Sequence, residues 1–474
     1  MSTKLTRRQM AAALTAAPLA GAGNPPNILF CLSYDHTAAV LGAYGNPVVR
    51  TPNFDRFAQE GMRFDRAFTT APQCVPSRVS MMTGHSPVAV RMGRFNSPLP
   101  ADIVTLPEIL RRRGYFTGIC RRNFHLDGPV GPGPLMKAAF DKYDMVTFDK
   151  RVDYLDRGSP RGQTTARVNE FLDMTPKGRP FFLWVGFNDP HHPWDQNAVP
   201  QPPEPAKIPL PAHLPDLPGV REELARYYGE VERVDGEFQS VLDILRRRGL
   251  EKNTLVVFMG DNGMAFPHGK GSLYDPGLNV PFIVRWPGVV KPGTSTSELF
   301  SGEDLTPTLL EAAGAAVPIH MTGQSVLKLL RGEEYTGREH VFGWRLQHGR
   351  STFNEKTRAN GFDLSRCVRS KSHKLIYNCT PYQVYSPVDS ANGPGWKQMM
   401  AAHEAGKLPP AIERAYFTHP RPVFELFDLE RDPSELENLA GRPAQAKVER
   451  ALKEALYERM IRDYDFLPLP LTEQ

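Results

Sequence analysis

Cysteine is scarce in this chain, and its placement excludes whole classes of protein. The five copies stand at positions 31, 74, 120, 367 and 379 of 474 residues, too scattered for a zinc ribbon or a disulfide-dense fold. Cys367 and Cys379 alone are spaced so as to suggest a bridge. Charge of one sign is lacking as well: 57 basic residues face 52 acidic ones, and Lys4, Arg7 and Arg8 at the extreme N-terminus supply part of the net +5. No basic tract remains to bind nucleic acid. No apolar run approaches the ~20 residues of a stable membrane span, and neither an internal repeat nor a long low-complexity linker is present. What remains, at 41% hydrophobic composition, is a chain able to bury one large core and a second smaller one.

Residues 1–23 read as a targeting segment: Thr6-Arg7-Arg8-Gln9-Met10 precedes a soft Ala- and Leu-rich stretch and the small residues Ala20-Gly21-Ala22. This looks like a bacterial twin-arginine signal, which implies the twin-arginine export machinery as a partner and the periplasm or exterior as destination. An ordinary basic N-terminus is the alternative.

Beyond it, short apolar runs alternate with helical patterns. Ile28 to Ser33, Met62 to Phe68, Phe181 to Phe187 and Thr254 to Met259 have the length and composition of strands. Thr51-Pro52-Asn53-Phe54 opens a capped helix, and Val220 to Gly249 is helical, with Leu224, Tyr227, Tyr228, Val231, Val234 and Phe238 near helical spacing. Such alternation predicts a layered α/β domain, with its site at the C-terminal ends of the strands. We place that domain at 24–365. A smaller C-terminal lobe at 366–474 takes a short antiparallel sheet from His373–Asn378 and Phe424–Leu429.

The most informative run is Ala71-Pro72-Gln73-Cys74-Val75-Pro76-Ser77-Arg78, continuing to Thr83-Gly84. Its Cys-x-Pro-x-Arg core resembles the site at which sulfatases convert Cys to formylglycine, which implies a formylglycine-generating enzyme as a partner. The likeness extends through Tyr34-Asp35, Asp261-Asn262-Gly263, His268-Gly269-Lys270 and Asp304 to Leu310, then to Phe424 to Leu429 and Asp432 to Leu439. It implies an alkaline phosphatase-like fold over almost the whole chain after residue 26. Phe187-Asn188-Asp189-Pro190-His191, Leu273-Tyr274 with Pro276-Gly277, Val341-Phe342-Gly343 and His373 to Asn378 most resemble the heparan N-sulfatase or N-sulfoglucosamine sulfohydrolase-like group.

The resemblance implies a chemistry. Formylglycine at position 74, hydrated to a diol, attacks sulfur and forms a covalent sulfated intermediate; the second hydroxyl then expels sulfate. Arg78 organises the position-74 loop, His125 is the base for sulfate release, His191 protonates the leaving group, and Lys270 balances sulfate charge. Asp35, Asp261 and Asn262 match the metal positions, and an all-oxygen set favours Ca2+ over zinc, with Mg2+ or Mn2+ as lesser candidates. Arg122, His192, Trp344, Arg345 and His348 are candidate substrate contacts, although Trp344 equally suits packing and Arg345 an ion pair. Taken singly, Cys74 could be a buried thiol, Asp261-Asn262-Gly263 a turn, and His125 a loop residue.

Two departures from the family pattern stand out. Tyr34 occupies a place where many sulfatases carry an acid, which leaves His36 as a conceivable substitute ligand. Asn123 occupies the place of a Lys before His125, with Arg122 the nearest cation. The principal expectation is an exported hydrolase of a sulfate ester or sulfamate on a saccharide, either monomeric or a homo-oligomer. A phosphonate or phosphate diester hydrolase and a noncatalytic sulfated-glycan-binding homologue are the rivals.

Overall fold

The computed structural model describes residues 25–93, 98–121, 124–127, 134–156, 158–347 and 363–469. The expected twin-arginine segment, Arg122 and His348 lie outside them. Among the described residues, no helix is long and apolar enough to cross a membrane.

An eight-stranded sheet forms the centre. In chain order its strands are β1 (Asn27–Ser33), β2 (Met62–Phe64), β5 (Phe116–Cys120), β7 (Tyr154–Leu155), β8 (Phe181–Gly186), β9 (Thr254–Gly260), β10 (Phe282–Arg285) and β11 (Thr294–Thr296). They lie in the order β11-β2-β10-β9-β1-β8-β5-β7. Strands β9, β1, β8, β5 and β7 run parallel, whereas β10 is antiparallel to β9 and β2. The central strands are continuous apolar runs because both faces are covered: one core contains Leu29, Cys31 and Leu183, and the other Phe30, Leu32 and Trp184. Two small pairs flank the sheet, β3 (Ala67–Phe68) with β12 (Phe300–Ser301), and β4 (Leu99–Pro100) with β6 (Met145–Val146).

Four helices matter for the site: α1 (Pro52–Gln59), α2 (Cys74–Thr83), α3 (Pro218–Arg247) and α4 (Leu305–Ala312). On α3, Leu224, Val231, Val234 and Phe238 face the first core, so a 30-residue helix is held along most of its length. Helix α2 has no solvent face at all.

The second sheet is antiparallel, β13 (Val341–Arg345), β14 (Ser365–Arg369), β15 (His373–Asn378) and β16 (Phe424–Asp428), covered by α5 (Ala446–Arg462). The fold is thus the alkaline phosphatase-like sulfatase architecture expected. The small sheet takes its first strand from 341–345, ahead of residue 366. All five cysteines are free; Cys367 pairs across the ladder with Ile376, so no bridge to Cys379 forms.

Candidate active site

Three parallel strands deliver the site. In register, Ser33 of β1 faces Gly260 of β9 and Leu32 faces Gly186 of β8, so the loops that follow leave the same edge together. Tyr34 and Asp35 leave β1, Asp261 and Asn262 leave β9, and the loop to His191 leaves β8. The backbone N–H of Asp35 donates to Asp261 Oδ1 at 2.9 Å, and Asn262 Nδ2 donates to Asp35 Oδ1 at 2.9 Å. Asp35 takes this place with φ at 48°, in the left-handed region that a non-glycine residue occupies at a cost.

Cys74 is the first residue of α2, buried, with Sγ 4.0 Å from Asp35 Oδ1. One ligand atom each from Asp35, Cys74 and His191 lies within 4.8 Å of the others. The Sγ atom marks the position from which the oxygens of a formylglycine would project. Burial pushes the Cys74 thiol up to about 12, with Lys270 opposing, so an unmodified Cys74 is a neutral thiol and a weak nucleophile at neutral pH. The free amides of the first turn of a helix favour an anion beside it.

The nucleophile loop is tied down on two sides. Gln73 makes a two-way amide pair with the backbone of Leu346, donating at 3.1 Å and accepting at 3.0 Å, while Trp344 N–H donates to Thr70 O at 2.9 Å. Gly271 N–H donates to Pro72 O at 2.8 Å, coupling the Lys270 loop to the Cys74 loop.

Arg78 and Lys270 are both buried and paired. Arg78 meets Asp261 Oδ2 through Nε at 3.0 Å and through Nη2, and its guanidinium lies 3.7 Å from the ring centroid of Tyr34. Tyr34 thus presents a buried aromatic face on which Arg78 stacks. Lys270 Nζ lies 2.9 Å from Asp35 Oδ2 and 2.5 Å from Asp389 Oδ2. Burial alone would lower the Lys270 pKa; Asp35 and Asp389 outweigh it and hold the ammonium charged. Burial likewise raises Asp35, against the pull of Lys270.

His191 stands at the rim, Nδ1 2.5 Å from the carbonyl of His192 and Nε2 4.0 Å from Asp35 Oδ2. A carbonyl only accepts, so Nδ1 carries a proton and Nε2 is the atom that faces the site. His192 stands edge-on to Trp194, centroids 4.9 Å apart.

Other expected residues are placed elsewhere. His125 belongs to the short helix Phe124–Asp127, its side chain outside the described residues, as are Arg122 and His348. Trp344 is 1% exposed, with the Arg459 guanidinium 5.0 Å from its ring, so it offers no face to a sugar. Arg345 is buried against Asp363, donating from Nε to its carbonyl at 2.9 Å. His36 is no substitute ligand: Nδ1 meets Ser33 Oγ at 2.9 Å, Nε2 meets Val40 O at 3.3 Å, and the ring packs on Phe54 and Phe258. Asp389 was missed; its Pro- and Ser-rich segment carries no motif, and only the fold brings it to Lys270.

The residues fit a hard divalent cation. Asp35, Asp261 and Asn262 supply oxygen donors from adjacent strand ends, and the Asn262 Oδ1 atom is buried without a hydrogen-bond partner. An amide oxygen left so costs free energy unless a cation or water meets it.

A family model described as sulfatase matches residues 26–315. This chain belongs to the sulfatase family. A second model, the C-terminal region of N-sulphoglucosamine sulphohydrolase, matches residues 266–407. The chain is 29% identical to human N-sulphoglucosamine sulphohydrolase, over 91% of this chain and 89% of that one. It is 27% identical to an ulvan-active sulfatase of Formosa agariphila, over 88% and 72%. Its fold superposes with a TM-score of 0.69 on a solved structure in complex with its substrate D-glucosamine-2-N,6-O-disulfate, at 19% identity over 94% and 100% of the two chains. A phosphonate monoester hydrolase from Silicibacter pomeroyi gives the same TM-score at 21% identity, over 93% and 96%. Family and site together make this sulfatase a hydrolase.

Proposed function

We propose that this sulfatase releases inorganic sulfate from a sulfated saccharide, as an ester or a sulfamate, and that Ca2+ and a formylglycine made from Cys74 serve it. The observation that carries the reading is Cys74 at the first turn of buried α2, within 4.8 Å of Asp35 and His191 ligand atoms. A thiol held at about 12 is a poor nucleophile there, so the position needs modification to react.

Formylglycine, as its diol, would supply the nucleophile, and a cation held by Asp35, Asp261 and Asn262 would polarise sulfate oxygens. The remaining work belongs to side chains in place. Lys270 and the α2 amides neutralise sulfate charge, Arg78 holds Asp261 and the nucleophile helix together, and His191 Nε2 gives a proton to the departing oxygen or nitrogen. His125 takes a proton in sulfate release. Arg122, His192 and His348 are assigned to the saccharide side. Export through the twin-arginine machinery to the periplasm or exterior, after modification by a formylglycine-generating enzyme, completes the proposal; a homo-oligomer is compatible with it.

The relative that acts on N-sulphoglucosamine makes N-sulfoglucosamine the first substrate to offer. The test is a peptide mass around residue 74 after coexpression with a formylglycine-generating enzyme, then sulfate release from N-sulfoglucosamine and glucosamine 6-sulfate with and without Ca2+. Conversion with Ca2+-dependent release is expected. The fold does not separate sulfur from phosphorus, because a phosphonate monoester hydrolase superposes equally well. A phenyl phosphonate ester cleaved faster than matched sulfates would therefore overturn the sulfate reading, as conversion with glycan binding and no turnover would.

A further inference from the structure

The loop that carries His191 begins and ends on one side chain. Arg233, on α3, donates from Nε to Asp189 Oδ2 at 2.5 Å, from Nη1 to Asp195 Oδ2 at 2.7 Å, and from Nη2 to Glu230 Oε1 at 3.2 Å. Asp189 and Asp195 bracket the residues Pro190, His191, His192, Pro193 and Trp194. Glu230 closes the arrangement by accepting the backbone N–H of Asp195 at 2.9 Å.

The bracket is anchored at both ends to rigid parts of the fold. Val231 and Val234, either side of Arg233, are buried in the core. Asp189 is itself buried, and its carbonyl accepts the N–H of Tyr34 at 3.1 Å, tying the loop to the β1 end that presents Asp35. Next to Asp195, Trp194 stacks on Phe266, centroids 4.5 Å apart and planes within 12°. Arg161 adds a second cation at Asp189 Oδ1, 2.7 Å away, but its side chain is 43% exposed and it reaches Asp195 only at 4.0 Å. Among the described residues, Arg233 engages both flanks at hydrogen-bond distance, and its planar fork aims fixed N–H donors at three carboxylates at once.

The donors of Arg233 are taken up by Asp189, Asp195 and Glu230, none of which pairs with Lys270, whose partners are Asp35 and Asp389. We propose that Arg233 is a positioning residue, which holds the Asp189 to Asp195 loop so that His191 Nε2 faces the leaving group. This rests on the reading of His191 as the proton donor. It has a consequence that stability alone would not have: a misplaced donor matters most where the departing atom needs a proton, and little where the leaving group is already a stable anion.

The test compares two sulfate esters, 4-nitrophenyl sulfate, whose phenolate leaves unassisted, and a sugar sulfate with an alkoxide leaving group. For Arg233→Gln we expect kcat on the sugar sulfate to fall by about 10- to 100-fold while 4-nitrophenyl sulfate loses less than about 3-fold and KM changes little. Arg233→Lys, which keeps the charge but replaces the fixed fork of donors with a single nitrogen that cannot reproduce its span, should fall between wild type and Gln with the same bias, and guards against loss through unfolding. Equal losses on both esters, or no loss on either, would overturn the proposal. His191→Ala is read alongside: absence of leaving-group bias in that variant would remove His191 as the donor, and inactivity of the wild type on both esters would remove the sulfate reading beneath it.

Discussion

Tyr34 is a residue at which the sequence parts from the pattern it resembles, and its surroundings show what a phenol does there. A carboxylate there would have needed both a cation and Arg78; a phenol ring instead gives Arg78 a stacking surface at 3.7 Å and leaves Asp261 as its ion-pair partner. Two carboxylates, Asp35 and Asp261, then stand against two buried cations, Lys270 and Arg78. Tyr34→Asp should restore an acidic ligand and raise Ca2+ affinity by about tenfold, one added charged oxygen donor shifting binding by about 1.4 kcal/mol. Isothermal titration with the cation checks this; unchanged affinity would show that position 34 does not reach the ion. Lys270→Ala leaves Asp35 buried without its counterion and removes the charge facing sulfate. We expect kcat/KM to fall about 100-fold or more, read in steady-state sulfate release.

Among elements, the position of α2 depends on contacts that cross the whole chain. Gln73 holds the turn before α2 against Leu346, 273 residues away, through two hydrogen bonds. Gln73→Ala would leave the Leu346 N–H and C=O buried and unpaired, at a cost of about 1–3 kcal/mol, and should loosen the nucleophile; thermal unfolding and kcat report the two effects separately. The turn after β9 is tighter still. A Cβ on Gly263 would fall 1.8 Å from the carbonyl oxygen of Pro276, a backbone atom with no freedom to give way. Gly263→Ala should therefore cost about 3 kcal/mol or more and displace Asn262 with it, seen as a lower melting temperature and weaker Ca2+ binding.

For the molecule as a whole, the two sheets are joined through buried charge. Arg459 of α5 donates to Glu303 at 2.7 Å just ahead of α4, and Arg338 lies 3.6 Å from the same carboxylate. Burial alone would raise the Glu303 pKa; Arg459 and Arg338 outweigh it and hold it at about 2 against an ordinary 4.5. A depressed carboxylate contributes stability that is complete above pH 4.5 and is lost as the pH falls towards 2. His36 adds to acid sensitivity higher up: burial holds it at about 4 against 6.5, so the unfolded chain takes up its proton first and stability declines from pH 6.5 towards 4. Urea unfolding at a series of pH values should show both declines. Arg459→Ala, which leaves buried Glu303 with only the more distant Arg338 as counterion, should cost about 3 kcal/mol near neutrality and flatten the lower one.

Much of the site was legible because it lies in short runs attached to strand ends. The motif after Phe68 placed Cys74 and Arg78 on one helix, and apolar runs ending at Ser33, Phe187 and Met259 placed Asp35, His191 and Asp261 at one edge, since parallel strands share a direction. Hydrophobic length and alternation were enough to determine the layered fold, whereas the family resemblance of short motifs, not spacing, singled out Cys74 and the oxygen side chains Asp35, Asp261 and Asn262. They could not show that Trp344 is covered by Arg459, that His36 turns into an aromatic core, that Asp389 pairs with Lys270, or that Arg233 grips the loop around His191. Those outcomes join residues 18 to 222 positions apart, and burial and pairing of this kind are decided only when the sheets pack and water is excluded between them.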